Sequence, residues 1–194
     1  MKLPKIGQVR LKQHRSVPSE YRLKSVTVSQ TPSGKYYASI LFEYEDQVEE
    51  KKLQKFLGLD FSMHELYRDS NGKEPAYPGY YRNAEKKLAR EQRKLSKMQK
   101  GSNNRNKQRL KVAKLHEKVS NQRKDFLHKW SRQTTNAYDC VCIEDLDMKA
   151  MFRSLNLGKS VSDNGWGMFI TFLKYKLEEQ GKKLVRVDRF FASS

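Results

Sequence analysis

Cysteine is scarce. The 194-residue chain has two, Cys140 and Cys142. They stand two positions apart in an apolar run whose alternation predicts a strand, so both fall on one face. That spacing is too tight for an ordinary disulfide across one strand. There is also no C-x-x-C metal knuckle. The pair reads as small apolar side chains in a reducing compartment. Long apolar runs are missing too. No segment approaches the ~20 residues that a membrane helix needs. The opening Met1-Lys2-Leu3-Pro4-Lys5 has no apolar leader core. These absences argue against a disulfide scaffold and a helical membrane protein, and predict a cytoplasmic one.

Acidic residues are in short supply: 22 Asp and Glu face 40 Lys and Arg, a formal net charge of +18. The excess is concentrated. Residues 82–132 hold 18 Lys/Arg and four acids, and so carry most of it. A basic surface of that density predicts a polyanionic partner, because Lys and Arg that neutralise phosphates release counterions. It also predicts association with the nucleoid. Nine Phe, ten Tyr and two Trp are enough for a packed core.

The patterning predicts a mixed α/β chain. Ile6–Leu11, Leu23–Val28 and Tyr36–Tyr44 alternate as strands. Thr31-Pro32-Ser33-Gly34 supplies a turn, which predicts a hairpin over residues 22–45. Glu43–Lys52 is a charged bridge, and a domain boundary is expected near residue 50. Residues 55–60 form a short apolar strand, and 65–68 a second one leading to an Asn71-Gly72 turn. Helical spacing follows over Arg82–Gln99 and again over Asn106–Ala137. The short polar break between them makes a basic αα-hairpin of residues 82–137. A strand at 139–144, an irregular stretch at 148–163, a helix at Trp166–Gln180 and a strand at Leu184–Val187 complete the pattern. Within the hairpin, Arg105, Lys107, Arg109, Lys111, Arg123 and Lys124 are the candidate phosphate contacts.

Two carboxylates end apolar strands: Asp60 after Phe56-Leu57-Gly58-Leu59, and Glu144 after Val141-Cys142-Ile143. On adjacent strands they would stand close together. Like charges that close need a cation, and hard carboxylate oxygens suit Mg²⁺ or Mn²⁺. Phosphodiester hydrolysis uses such a site to activate water and steady the leaving oxygen. Strand ends often carry Asp, so spacing alone does not settle the chemistry.

Several blocks, taken together and in order, resemble the OrfB/TnpB family of insertion-sequence proteins. They are Leu57-Gly58-Leu59-Asp60, the stretch Lys100–Lys107, Lys114–Lys118, Asn121–Phe126, Ile143-Glu144-Asp145-Leu146, Asn164-Gly165-Trp166-Gly167 and Lys174-Tyr175-Lys176. The resemblance covers nearly the whole chain. It implies a transposon-encoded, RNA-guided, metal-dependent DNA endonuclease with guide RNA and DNA as partners. The implied fold is an RNase H-like (RuvC-type) core over residues 51–194, interrupted by the basic helical hairpin. Residues 1–50 resemble the end of a β-barrel wedge domain. Asp60 and Glu144 match catalytic, metal-binding positions, for Mg or Mn.

The family pattern continues from a segment like Phe190–Ser194 into a four-cysteine zinc ribbon and a third catalytic Asp. Neither follows Ser194 in this sequence. The expectation is therefore no zinc site and impaired cleavage, with a catalytically inactive DNA/RNA-binding protein as the alternative. A homodimer, or a separate chain supplying the missing segment, stays open. Asp188 matches no catalytic position of the family. His116 and His128 are expected on the basic helix facing solvent or phosphate, and Trp166 in the core rather than stacked on a base.

Overall fold

The computed structural model describes residues 2–14, 16–45, 48–147 and 165–188. The chain divides into two compact units. One comprises residues 1–31 with 35–47, and the other 32–34 with 48–194.

The first unit is two small ribbons. Strands β1 (Lys2–Leu3) and β2 (Gly7–Gln8) pair antiparallel. Alternation over Ile6–Leu11 predicts one strand there, but the chain reverses instead, with Lys5 at φ 63° and Gly7 at φ 85°. An alternating pattern holds a strand only when a ladder and a core receive it, and Ile6 is exposed. The predicted hairpin does form. Strands β3 (Arg22–Gln30) and β4 (Tyr36–Glu43) pair antiparallel, with Val26 opposite Ile40 and Val28 opposite Ala38. Thr31 and Lys35 close the turn through an N–H···O bond of 2.8 Å, and Gly34 takes the left-handed conformation it needs, φ 86°. Tyr21 stacks on Tyr44 at 4.5 Å between ring centres.

The second unit is built on a four-stranded sheet. Its strands are β5 (Phe56–Phe61), β6 (Tyr67–Asp69), β7 (Cys140–Glu144) and β8 (Lys183–Val187), in spatial order β6-β5-β7-β8. β6 runs antiparallel to β5, while β7 and β8 run parallel to it and to each other. After β6 the Asp69 carboxylate accepts from the backbone N–H of Asn71 and Lys73, at 2.9 and 2.8 Å. This side-chain turn, with Gly72 at φ 79°, folds the chain back so that Glu65 bridges Ala76.

Between β6 and β7 come α1 (Tyr80–Ser96) and α2 (Asn103–Ala137). Sequence periodicity starts α2 at Asn106. The helix begins three residues earlier because the Ser102 hydroxyl accepts from the Arg105 N–H and caps it. Arg105 then reaches back across the turn and donates from Nη1 to the carbonyls of Leu95 and Met98, at 2.7 and 2.9 Å. It thereby satisfies the open end of α1. Helix α3 (Trp166–Glu178) lies between β7 and β8 in the chain.

Burial along the strands alternates. Leu57, Leu59, Val141 and Ile143 are buried and face Leu127 of α2 and Trp166, Phe169, Leu173 and Leu177 of α3. Among the described residues no helix covers the opposite sheet face, where Phe56 and Val185 are exposed and Cys140 is buried. Trp166 is 1% exposed and belongs to the core, as expected. The seam between α2 and α3 is partly polar. Lys176, 2% exposed, donates from Nζ to the His128 carbonyl at 2.9 Å and the Ser131 hydroxyl at 2.6 Å. Burial, with Arg132 nearby, pulls its pKa down to about 8. The irregular stretch expected at 148–163 lies outside the described residues.

Candidate active site and nucleic-acid interface

Asp60 and Glu144 end up side by side. The parallel ladder of β5 and β7 pairs Gly58 with Cys142 and Leu59 with Ile143, so the next level holds Asp60 and Glu144. Neighbouring strands lie about 4.8 Å apart, and residues at one level point to one face. Leu59 and Ile143 point into the core, so Asp60 and Glu144 point to the open face. Asp60 is exposed and Glu144 half-buried. Arg68 stands opposite Asp60 on β6, and Val187 opposite Glu144 on β8. Arg68 itself is ion-paired with Glu74.

Two carboxylates at one level offer hard oxygen donors from two rigid strands, which suits Mg²⁺ or Mn²⁺ better than a softer ion. Among the described residues no group of three or more His, Cys, Asp or Glu side chains assembles as a metal cage. The pair would therefore hold such an ion with water, or with substrate oxygens, in the remaining positions. The carboxylate of Asp145, the residue after Glu144, is ion-paired with Arg186 at 2.7 Å. Asp145, Leu146, Asp147 and Asp188, which follow the ends of β7 and β8, line an open depression. On the open face, Cys142 lies beside Gly58 and Val185. Both cysteines are free, and burial beside Cys142 raises the Cys140 thiol pKa.

The six candidate phosphate contacts fall into two groups. Lys107, Arg109 and Lys124 are exposed and make no ion pair among the described residues. Arg105, Lys111 and Arg123 are engaged in the fold. Arg105 holds the end of α1, and Lys111 pairs with Glu91 at 3.0 Å. Arg123 packs at the entry to α3, where a Cβ on Gly165 would sit 3.2 Å from its Cδ.

Glu91 organises the hairpin. Its carboxylate is 2% exposed, receives the buried Gln108 amide at 2.9 Å, and draws in Lys111, Lys94 and Arg90. The Gln108 and Lys111 hydrogen bonds hold its pKa down at about 2. This arrangement escaped the sequence reading, although a Glu on the apolar stripe of a basic helix was an available signal. Lys86, Lys87, Lys114 and Lys118 on the two helices, and Lys97 and Lys100 in the turn between them, are further exposed cations. His116 contacts Gln92 across the hairpin at 3.2 Å, and His128 stacks on Phe172.

The second unit thus places two strand-end carboxylates on a mixed sheet and carries a cationic helical hairpin between β6 and β7. Comparison with known proteins supplies the assignment. Residues 39–155 match the OrfB_IS605 family model, described as "Probable transposase", and the chain belongs to that family. Residues 166–194 match the Cas12f1-like TNB domain. A protein of Streptomyces pristinaespiralis is 33% identical over 180 residues, covering 93% of this chain and 44% of its own length. InsQ of Escherichia coli K12 is 32% identical over 206 residues, covering 98% and 50%. Both carry the name "Putative RNA-guided DNA endonuclease". The chain thus spans about half the length of these curated relatives. Its fold is also similar to a chain in a cryo-EM structure of a Cas12f1–sgRNA–target DNA complex. The TM-score is 0.56 at 15% identity, covering 87% of this chain and 36% of the other. Among the described residues no helix is long and apolar enough to cross a membrane.

Proposed function

We propose that this chain carries the nuclease centre of an RNA-guided, metal-dependent DNA endonuclease of the transposase-associated kind. The carrying observation is the parallel β5–β7 ladder, which runs through Leu59 and Ile143 and so brings the next residues, Asp60 and Glu144, to neighbouring strand ends. We read the second unit as an RNase H-like core. An antiparallel β5–β6 pair continued by parallel β7 and β8, with helices on one face, supports that reading. The α1–α2 hairpin is then an insertion between β6 and β7, and the β3–β4 ribbon a fragment of a preceding β-rich domain.

In this reading Asp60 and Glu144 hold Mg²⁺ or Mn²⁺, which would supply the activated water and charge neutralisation for phosphodiester hydrolysis. The protein's own part is positional. β5 and β7 fix the two carboxylates, and the open sheet face leaves room for a strand of nucleic acid. Lys107, Arg109 and Lys124 grip phosphates without sequence preference, while guide RNA pairing reads the DNA target.

A second reading, a nucleic-acid binder without cleavage, is favoured by one observation: no third metal-ligating side chain joins the pair among the described residues. One experiment separates the two. Purified protein with its co-purifying RNA is assayed for Mn²⁺-dependent cleavage of single- and double-stranded DNA, beside Asp60→Ala and Glu144→Ala. Cleavage lost in both variants supports the nuclease. Salt-sensitive binding without cleavage assigns the chain to the second reading.

A further inference from the structure

The surface of the α2–α3 seam carries aromatic rings, of which Phe172 packs against the core from below and His128 and Tyr175 reach solvent. His128 of α2 lies flat on Phe172 of α3, with centroids 3.8 Å apart and planes 13° from parallel. Tyr175, one helical turn on, meets Phe172 edge-on at 6.2 Å. His128 and Tyr175 are exposed and Phe172 is half-buried. The seam beneath is already filled by Lys176, whose Nζ lies 5.6 Å from the Phe172 ring and 5.8 Å from the Tyr175 ring. These rings lie on the helix side of the sheet, away from Asp60 and Glu144.

The surroundings are cationic. Lys124 stands one turn before His128 on α2, and Arg132 one turn after it. Lys124 makes no ion pair among the described residues, and Arg132, 49% exposed, pairs with Glu179 at 3.9 Å. The other nearby acids are matched: Asp125 by Lys129 at 2.7 Å, and Glu178 by Lys174 at 3.9 Å. Burial, then Lys176, hold the His128 pKa down, with Lys124 and Arg132 acting the same way and Asp125 opposing. All but one of these influences favour the uncharged imidazole, whose ring face lies against Phe172.

We infer that His128, Phe172 and Tyr175, flanked by Lys124 and Arg132, form a stacking platform for unpaired nucleotides, separate from the carboxylate pair. The inference rests on the nucleic-acid reading above. Its chemistry is that of single-strand binding: bases stack on exposed rings while cations track the phosphates. A duplex, whose bases are already stacked, has only its phosphates to offer such a surface.

The test measures binding of fluorescent oligo(dT), oligo(rU) and a DNA hairpin duplex at one ionic strength. The proteins are the full chain, Tyr175→Ala, His128→Ala and Tyr175→Phe, each checked by thermal melting. Tyr175→Ala and His128→Ala are expected to weaken single-strand binding about five- to tenfold and leave duplex binding unchanged. Tyr175→Phe, which keeps the ring, is expected to bind as the parent does. The oligo(dT) and oligo(rU) arms show whether the unpaired strand is DNA or RNA. Unchanged single-strand binding in both Ala variants, or an equal loss for duplex and single strand, overturns the platform while the wider nucleic-acid reading stands. A parent chain that binds none of the three probes at low salt overturns both.

Discussion

The two halves of α2 live in different surroundings. At 35 residues the helix is about 52 Å long. Its second half packs between the sheet and α3, where Leu127, Ser131 and Thr135 are fully buried. Its first half meets α1, and the residues it buries, Gln108, Val112 and Val119, keep 7–9% exposure. One half is held by a core; the other is held by a single helix, a buried carboxylate and an arginine staple. The difference teaches how a long cationic hairpin can be rigid. The core fixes where it starts, and Glu91 and Arg105 fix how its helices pair, which leaves the outward cations free of structural duty.

The largest expected effect breaks the core half. Leu127→Ala removes a fully buried side chain between α2 and the sheet and should cost about 2–5 kcal/mol in urea unfolding. Val112→Ala in the hairpin half should cost about 1 kcal/mol, since it loses less volume at a rim already open to water. Equal costs would show that the two halves are one cooperative body.

Glu91→Gln sharpens the hairpin side. It leaves Lys111, Lys94 and Arg90 without their shared carboxylate and should raise amide exchange across α1 while β5 and β7 stay protected. The pH dependence has a definite sign. Glu91 has a folded pKa of about 2, below the ordinary 4.5, so its stabilisation is present above pH 4.5 and is lost as pH falls toward 2. Glu91→Gln should flatten that part of the acid unfolding profile.

The two groups of cations should separate next. Replacing Lys107, Arg109 and Lys124 together by Ala should reduce the slope of log K against log salt by about 1 for each phosphate no longer neutralised, with the melting temperature nearly unchanged. Arg105→Ala should do the reverse, destabilising the hairpin with little change in slope. The smallest effect lies in the seam. Lys176 has its pKa depressed to about 8 from 10.5, so stability should rise between those pH values as the amine is neutralised first in the folded state. Lys176→Met should remove that rise and keep the fold at pH 7.

Much of this arrangement was legible in the residues. Alternation marked the β3–β4 ribbon, and short apolar runs ending in Asp60 and Glu144 marked β5 and β7, whose core-facing Leu57, Leu59, Val141 and Ile143 must be apolar. The strand expected at Ile6–Leu11 is shorter, Gly7–Gln8, because its partner β1 offers only two residues to pair with and local alternation does not reveal a ladder's length. The contacts of Arg105 with the end of α1 and of Lys111 with Glu91 were not legible, because a sequence shows a side chain's charge, not the carbonyl or carboxylate it meets after the chain turns at Gly101-Ser102. Glu91 was hidden for the same reason: its value lies in Gln108, seventeen residues away. The level pairing of Asp60 with Glu144 needed the strand register, which spacing could suggest but not fix.

The central claim is that Asp60 and Glu144 hold one divalent ion between them. Mn²⁺ titration followed by electron paramagnetic resonance, on the parent chain, Asp60→Ala, Glu144→Ala and the double variant, tests it most directly. The account predicts that each single substitution abolishes the same bound ion and that the double variant loses no more than either single one. Parent-like Mn²⁺ affinity in either single variant would contradict it.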